Sequence, residues 1–100
     1  MRLYDLIIKE EAKFEIIEAY NWYEGKQEGL GERFVLDLDD YFERIRSTPE
    51  IFPRRYREYR QVVMKRFPFV IVFEIEEKEV VVYAVFNTYQ DPNKLQKYIE

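Results

Sequence analysis

Between Tyr59 and Phe73 the chain carries two runs of β-branched and aromatic residues, parted by a short polar break and Pro68. Such runs suit a pleated, buried or half-buried surface. Proline has no N–H to give a ladder, so Pro68 belongs at the break or at a strand's first position. The pattern predicts a β-hairpin: strand Tyr59–Lys65, a tight reversal at Arg66–Pro68, strand Phe69–Ile75. Glu76 to Glu79 is a second polar reversal. Val80–Asn87 is nearly all apolar and predicts a central strand covered on both faces.

Upstream, Leu3–Ile8 is short and apolar and predicts a further strand. Lys9-Glu10-Glu11 then opens a helix, its acids well placed against the N-terminal dipole. Ala12, Ile16, Ala19, Tyr20 and Tyr23 share one helical face. Phe14, Ile17 and Trp22 widen or leave that stripe, and core packing is the plainer reading of them. Gly29 or Gly31 stops the helix, since either can take a positive φ. A second helix, about Glu32–Arg46, carries the stripe Leu30, Phe34, Leu38, Tyr41, Phe42 and Ile45. Its acids Asp37, Asp39, Asp40 and Glu43 read as a solvated face, because no cation-loop pattern surrounds them. Pro49 ends the helix. Ile51 and Phe52 follow in a loop expected to tuck under the sheet edge. Asp91-Pro92 signals a short C-terminal helix with Leu95, Tyr98 and Ile99 on its apolar face.

The order is β-α-α-β-β-β. It predicts an α+β fold: an antiparallel-dominated sheet, an α-hairpin packed on one face and a short C-terminal helix. The 100 residues form one domain, 1–100. With helices on one face only, the apolar strands leave a surplus on the other, and such patches mark partner sites.

Composition narrows the chemistry. There is no cysteine and no histidine. Disulfides, zinc centres and histidine-based nucleophile activation are excluded, and no metal or other cofactor is expected. No apolar run approaches the roughly 20 residues that span a bilayer, and the N-terminus lacks a signal-peptide core. A cytoplasmic protein without membrane partners is expected. The formal charge is −4, which argues against non-specific nucleic-acid binding as the main role. Against this acidic background Arg54, Arg55, Arg57, Arg60, Lys65 and Arg66 gather on and just before the hairpin, with only Glu58 opposing them. That local excess marks a candidate contact surface.

Taken together, several segments resemble the RelE/ParE superfamily of toxins from bacterial type II toxin–antitoxin systems. They are Ala12 with Ile16-Ile17 and Tyr20 through Tyr23; Gly29-Leu30-Gly31 with Phe34; and Pro49-Glu50-Ile51-Phe52. Tyr59-Arg60 followed by Arg66-Phe67-Pro68-Phe69 is the most specific. Tyr83-Ala84-Val85-Phe86, with Asp91-Pro92 just beyond, completes the set. The resemblance covers essentially the whole chain. It implies a small toxin neutralised by a cognate antitoxin that wraps it with a helix and an extended segment, and it leaves a homodimer open.

Two targets divide the superfamily. The ParE branch poisons DNA gyrase by binding, and the RelE branch cleaves ribosome-bound mRNA without a metal. The resemblance places Arg60 at a catalytic arginine position, Asn87 at a usual histidine position and Gln90 at a later arginine position. RNA cleavage needs a base, an acid and cations around the phosphate. Asn87 can hydrogen-bond but cannot exchange a proton near pH 7. Tyr89 is a candidate proton donor, and Arg60 with Lys65 or Arg66 can grip phosphate. The site residues are therefore Arg60, Tyr89 and Asn87 if the chain is an enzyme. Arg54, Arg55, Arg57, Lys65 and Arg66 are the target-binding set. A ParE-like binding toxin comes first, a RelE-like endonuclease second, and an inactive homologue that only pairs with an antitoxin third.

Overall fold

A computed structural model describes residues 3–88. Tyr89, Gln90 and the C-terminal helix expected after Asp91 lie outside the described residues. Strand β1 (Asp5–Ile8) leads into helices α1 (Glu10–Lys26) and α2 (Leu30–Ser47). A 3-10 turn at Pro49–Ile51 precedes β2 (Arg54–Tyr56), β3 (Tyr59–Val63), β4 (Phe69–Glu76) and β5 (Glu79–Asn87). The five-stranded sheet has the order β1-β5-β4-β3-β2, with β1 parallel to β5 and the rest antiparallel. The α+β architecture is the expected one, with one strand more.

That strand, β2, reads Arg-Arg-Tyr and offers no apolar alternation. It pairs with β3 at the sheet's edge, where a short, charged strand blunts edge-to-edge association. The first strand is shorter than expected, because Leu3 and Tyr4 precede the ladder. The β3–β4 connection is longer than the predicted reversal and runs from Met64 to Pro68. It drops Met64 and Phe67 into the core.

The α2 stripe behaves as its spacing demands. Phe34, Leu38, Tyr41, Phe42 and Ile45 are all buried against the sheet. Tyr23 of α1 joins Phe34, Phe67 and Phe69 in an aromatic cluster with ring centroids 5.0–6.2 Å apart. Such tilted and edge-on contacts add roughly 0.5–1.5 kcal/mol per pair beyond area burial.

The α1–α2 turn depends on Glu24. Its two carboxylate oxygens accept hydrogen bonds from the backbone N–H groups of Gly29 and Gly31, at 2.8 and 2.9 Å. These satisfy donors that α2's N-terminus leaves open, and the negative charge suits the dipole there. Gly29 has φ of +87°, a conformation that favours glycine.

The apolar surplus lies elsewhere than the strand count implies. On the sheet face away from the helices, Val70, Val72, Ala84 and Phe86 form a second buried cluster, each 6% exposed or less, with Tyr59 packed against it. That face is not bare. Phe14, Ile17 and Trp22, read as core, are instead exposed on α1, and Tyr20 is also exposed. Ile51, expected under the sheet edge, is exposed too, whereas Phe52 meets Phe73 edge-on. The reason is geometric: α1 has apolar residues all round, and only one side can face the sheet.

A β-bulge reconciles the strand patterns. Val72 pairs with Ala84 and Phe73 with Val82, leaving Tyr83 as the extra residue on β5. The bulge resets the alternation, so Val80, Val82 and Val85 all join the helix-side core.

Candidate functional site

The basic residues separate into two groups along the sheet. Arg54, Arg55 and Arg57 lie exposed on β2 and the turn after it. Arg54 reaches Glu58 at 3.5 Å, a solvent-screened pair of little energetic weight. Arg57 has φ of +53°, which costs a non-glycine residue about 1–2 kcal/mol. Its guanidinium lies 5.1 Å from the Tyr56 ring centroid. The chain thus spends backbone strain to hold an arginine at this tip.

Arg60 stands directly opposite Arg54 in the β2–β3 register. Its guanidinium turns inward and donates to the carbonyl oxygens of Phe52 (2.6 Å) and Glu50 (3.3 Å). It thereby satisfies the end of the 3-10 turn, which has no strand partner of its own. Glu50 also accepts a hydrogen bond from the Tyr4 hydroxyl. That bond, then burial, raises the Tyr4 pKa, and it is the leading cause of a lowered Glu50 pKa. Arg46 donates from Nε to the Tyr4 carbonyl at 3.1 Å. Arg60 is thus part of a brace joining Tyr4 just before β1, α2, the 3-10 turn and β3.

Lys65 and Arg66 occupy the other end, in the exposed connection before β4. The Lys65 N–H donates to the Tyr41 hydroxyl at 3.0 Å, and the Thr88 N–H to the Pro68 carbonyl at 2.8 Å. Asn87 pairs with Phe69, whereas Arg60 pairs with Phe73, four residues along β4. At strand spacing this separates Arg60 from Asn87 by about 13 Å along the strands and about 10 Å across them. The register therefore places Asn87 at the same end of the sheet as Lys65 and Arg66, and at the opposite end from Arg60. Tyr89 lies outside the described residues.

On the face away from the helices, Tyr83 sets its hydroxyl 3.1 and 3.2 Å from the Glu74 and Glu76 carboxylates. Burial, then the hydrogen bond to Glu74, pushes its pKa well above the ordinary tyrosine value. Its ring meets Tyr59 edge-on at 5.1 Å. These tyrosines are packing residues rather than open stacking platforms. Among the acids read as a solvated face, Asp39, Asp40 and Glu43 are exposed, while one buried Asp37 oxygen has no hydrogen-bond partner. No group of acids able to hold a metal ion occurs among the described residues.

One feature of the surface escaped sequence reasoning. A groove of about 600 Å³ opens between α1 and the ends of β4 and β5. Glu15, Glu18 and Trp22 line one wall, Phe69 and Val85 the other. The available signal was α1's refusal to fit a single apolar stripe.

The family described as "ParE toxin of type II toxin-antitoxin system, parDE" matches residues 6–92. The chain belongs to the ParE toxin family. Among solved structures, the chromosomal ParDE toxin–antitoxin system from P. aeruginosa contains a chain with the same fold. The two superpose with a TM-score of 0.72 at 17% identity, over 85% of this chain and 96% of that one. At that identity the likeness speaks to fold alone. No curated protein sequence matches. The ParE match agrees with the RelE/ParE resemblance in the sequence and makes the chain a type II toxin by family. No helix among the described residues is long and apolar enough to cross a membrane.

Proposed function

We propose that this ParE-family chain acts by occupying its target, with DNA gyrase as that target, and that a cognate antitoxin neutralises it. The observation that carries this reading is the state of Arg60. Its guanidinium is committed to two backbone carbonyls at one end of the sheet, while Asn87 stands near the other. A phosphate-cleaving site needs its cation, base and acid around one reacting bond. Arg54, Arg55 and Arg57, by contrast, project from an exposed edge and suit an anionic protein surface. Cytoplasmic action on gyrase is part of the same proposal.

A second reading has one observation in its favour. Lys65 and Arg66 are exposed in the connection that leads into β4, and Asn87 pairs with the first residue of β4, so two cations and a hydrogen-bonding side chain share one end of the sheet. This suits a RelE-like grip on ribosome-bound mRNA. Purified protein tested side by side on gyrase supercoiling and on translated mRNA separates the two. Supercoiling should stop while mRNA remains intact, and the triple change Arg54→Ala, Arg55→Ala, Arg57→Ala should relieve the inhibition. Cleaved mRNA with gyrase untouched would establish the second reading, and no effect on either would indicate a chain that only pairs with an antitoxin.

A further inference from the structure

The α1 helix is apolar on two sides, and only one of them meets the sheet. Phe14, Ile17 and Trp22 are 67%, 56% and 60% exposed. Phe14, Glu18 and Trp22 are spaced four apart, which places them in one row along the helix. The 600 Å³ groove opens beside this row. Its volume lies in the roughly 300–1,000 Å³ range of pockets that enclose a ligand group.

The groove exists because β1 is short. After Ile8 the chain turns into α1, so beyond Val82 no strand among the described residues pairs with β5 on that side. Lys9 donates the last backbone bond, to the Val82 carbonyl at 2.9 Å. Further on, the buried carboxylate of Glu15 accepts the Val85 N–H at 2.8 Å, in the place where a strand's carbonyl would stand. An incoming segment therefore meets a side-chain cap at Val85, and its own side chains must carry the recognition.

Charge specifies which side chains. The α1 helix contains five glutamates and two lysines. Glu10 is 3.8 Å from Lys13, and Glu24 is engaged by the N–H groups at α2's start. Glu18 lines the groove, is exposed and has no ionic partner among the described residues. Trp22 beside it already accepts a cation on its ring face, with the Lys26 ammonium 4.8 Å from the centroid. A carboxylate next to an indole face favours a guanidinium or ammonium. Phe14, exposed one turn before Glu18 in the same row, and Phe69 and Val85 across the groove favour a partner with apolar residues flanking that cation.

We propose that this groove receives an arginine or lysine side chain, carried between apolar residues on a segment of the antitoxin. The source of the segment rests on the pairing proposed above; the chemistry of the groove does not. An acidic segment is repelled by the same Glu18 carboxylate that draws a basic one.

Trp22 is the chain's single tryptophan, so its emission reports the groove directly. The probes are two capped hexapeptides, one alternating leucine with arginine and the other leucine with glutamate. The arginine peptide should give a saturable change in Trp22 emission, and the glutamate peptide none. Glu18→Lys should weaken the arginine peptide about tenfold with the circular dichroism unchanged, as expected for a groove-rim charge contact. Phe14→Ala should weaken it several-fold. Equal responses to both peptides, or an arginine response indifferent to Glu18→Lys, would overturn the inference. In parallel, the full chain is co-purified with the product of the neighbouring reading frame. A complex that forms with wild type and loosens with Glu18→Lys supports the inference. A complex unaffected by Glu18→Lys overturns it while the antitoxin pairing stands. No complex with wild type overturns the pairing itself, and with it the antitoxin as the segment's source.

Discussion

Helix α2 packs tightly against α1 at Gly31, which gives a test of the packing in which one substitution type has opposite signs at two sites. A Cβ on Gly31 would lie 2.6 Å from the Tyr20 carbonyl oxygen, 2.9 Å from Tyr20 Cδ1 and 3.0 Å from Glu24 Oε1. The first of these is backbone, so α1 and α2 must move apart by several tenths of an ångström. Overpacking of this kind costs about 1–3 kcal/mol. Alanine recovers up to about 1 kcal/mol of helix propensity, less so in a first turn. Gly31→Ala should therefore destabilise by about 1–2 kcal/mol, which for a domain of this size lowers Tm by about 4–16 °C. Gly25, in the last turn of α1, has nothing within 4 Å of a built Cβ. Gly25→Ala should keep the propensity gain, stabilising by up to about 1 kcal/mol. Urea unfolding of the two variants and wild type, read by circular dichroism, measures both. A Gly31→Ala variant as stable as Gly25→Ala would refute the close helix crossing.

Other consequences follow from single contacts. Glu15→Leu removes the acceptor of a buried N–H and should destabilise by about 1–3 kcal/mol, while Glu15→Gln, which keeps an oxygen, should cost clearly less; equal losses in chemical denaturation would mean the Val85 bond is unimportant. Arg57→Gly relieves a positive φ and should raise stability by about 1 kcal/mol while weakening gyrase inhibition; weaker inhibition without any gain in stability would count against stored strain. The lowered Glu50 pKa makes a signed prediction. Its stabilising contribution is complete above the ordinary glutamate pKa and is lost as pH falls through the lowered value. In a carboxyl-detected NMR titration, Tyr4→Phe should return Glu50 toward the ordinary value, and an unmoved titration would remove the Tyr4 hydroxyl as the cause.

The parts of the fold legible in the sequence are those with one unambiguous period. The α2 helix has a single apolar stripe, so its buried face of Phe34, Leu38, Tyr41, Phe42 and Ile45 is legible, although the helix starts two residues before and ends one residue after the expected Glu32–Arg46. Strands β4 and β5 read as buried because almost nothing polar interrupts them. The bulge at Tyr83 left no mark, since every neighbouring position is apolar and the change in alternation is silent. Strand β2 was hidden because an edge strand is charged by necessity and resembles a loop. The α1 helix misled for the opposite reason: with apolar residues on both faces, periodicity cannot say which side turns inward.

The basic residues were visible as a cluster in sequence, yet the sheet divides them. Arg57 and Arg60, three residues apart, meet different fates, one exposed at a turn and the other bracing carbonyls. Arg60 reads from the sequence as a phosphate-gripping cation, and the structure gives it backbone oxygens, which no composition argument can anticipate. The Glu15 cap on β5 was equally hidden, because it depends on where β1 stops.

The most direct test of action by binding is stoichiometry. Purified gyrase at a fixed concentration is titrated with this protein, and supercoiling is measured against the molar ratio. A toxin that works by occupancy should inhibit in proportion to bound protein, reach a plateau near equivalence, and release the enzyme when a neutralising partner is added. Inhibition of growth machinery at amounts far below its target, with mRNA cut and supercoiling intact, would contradict the account.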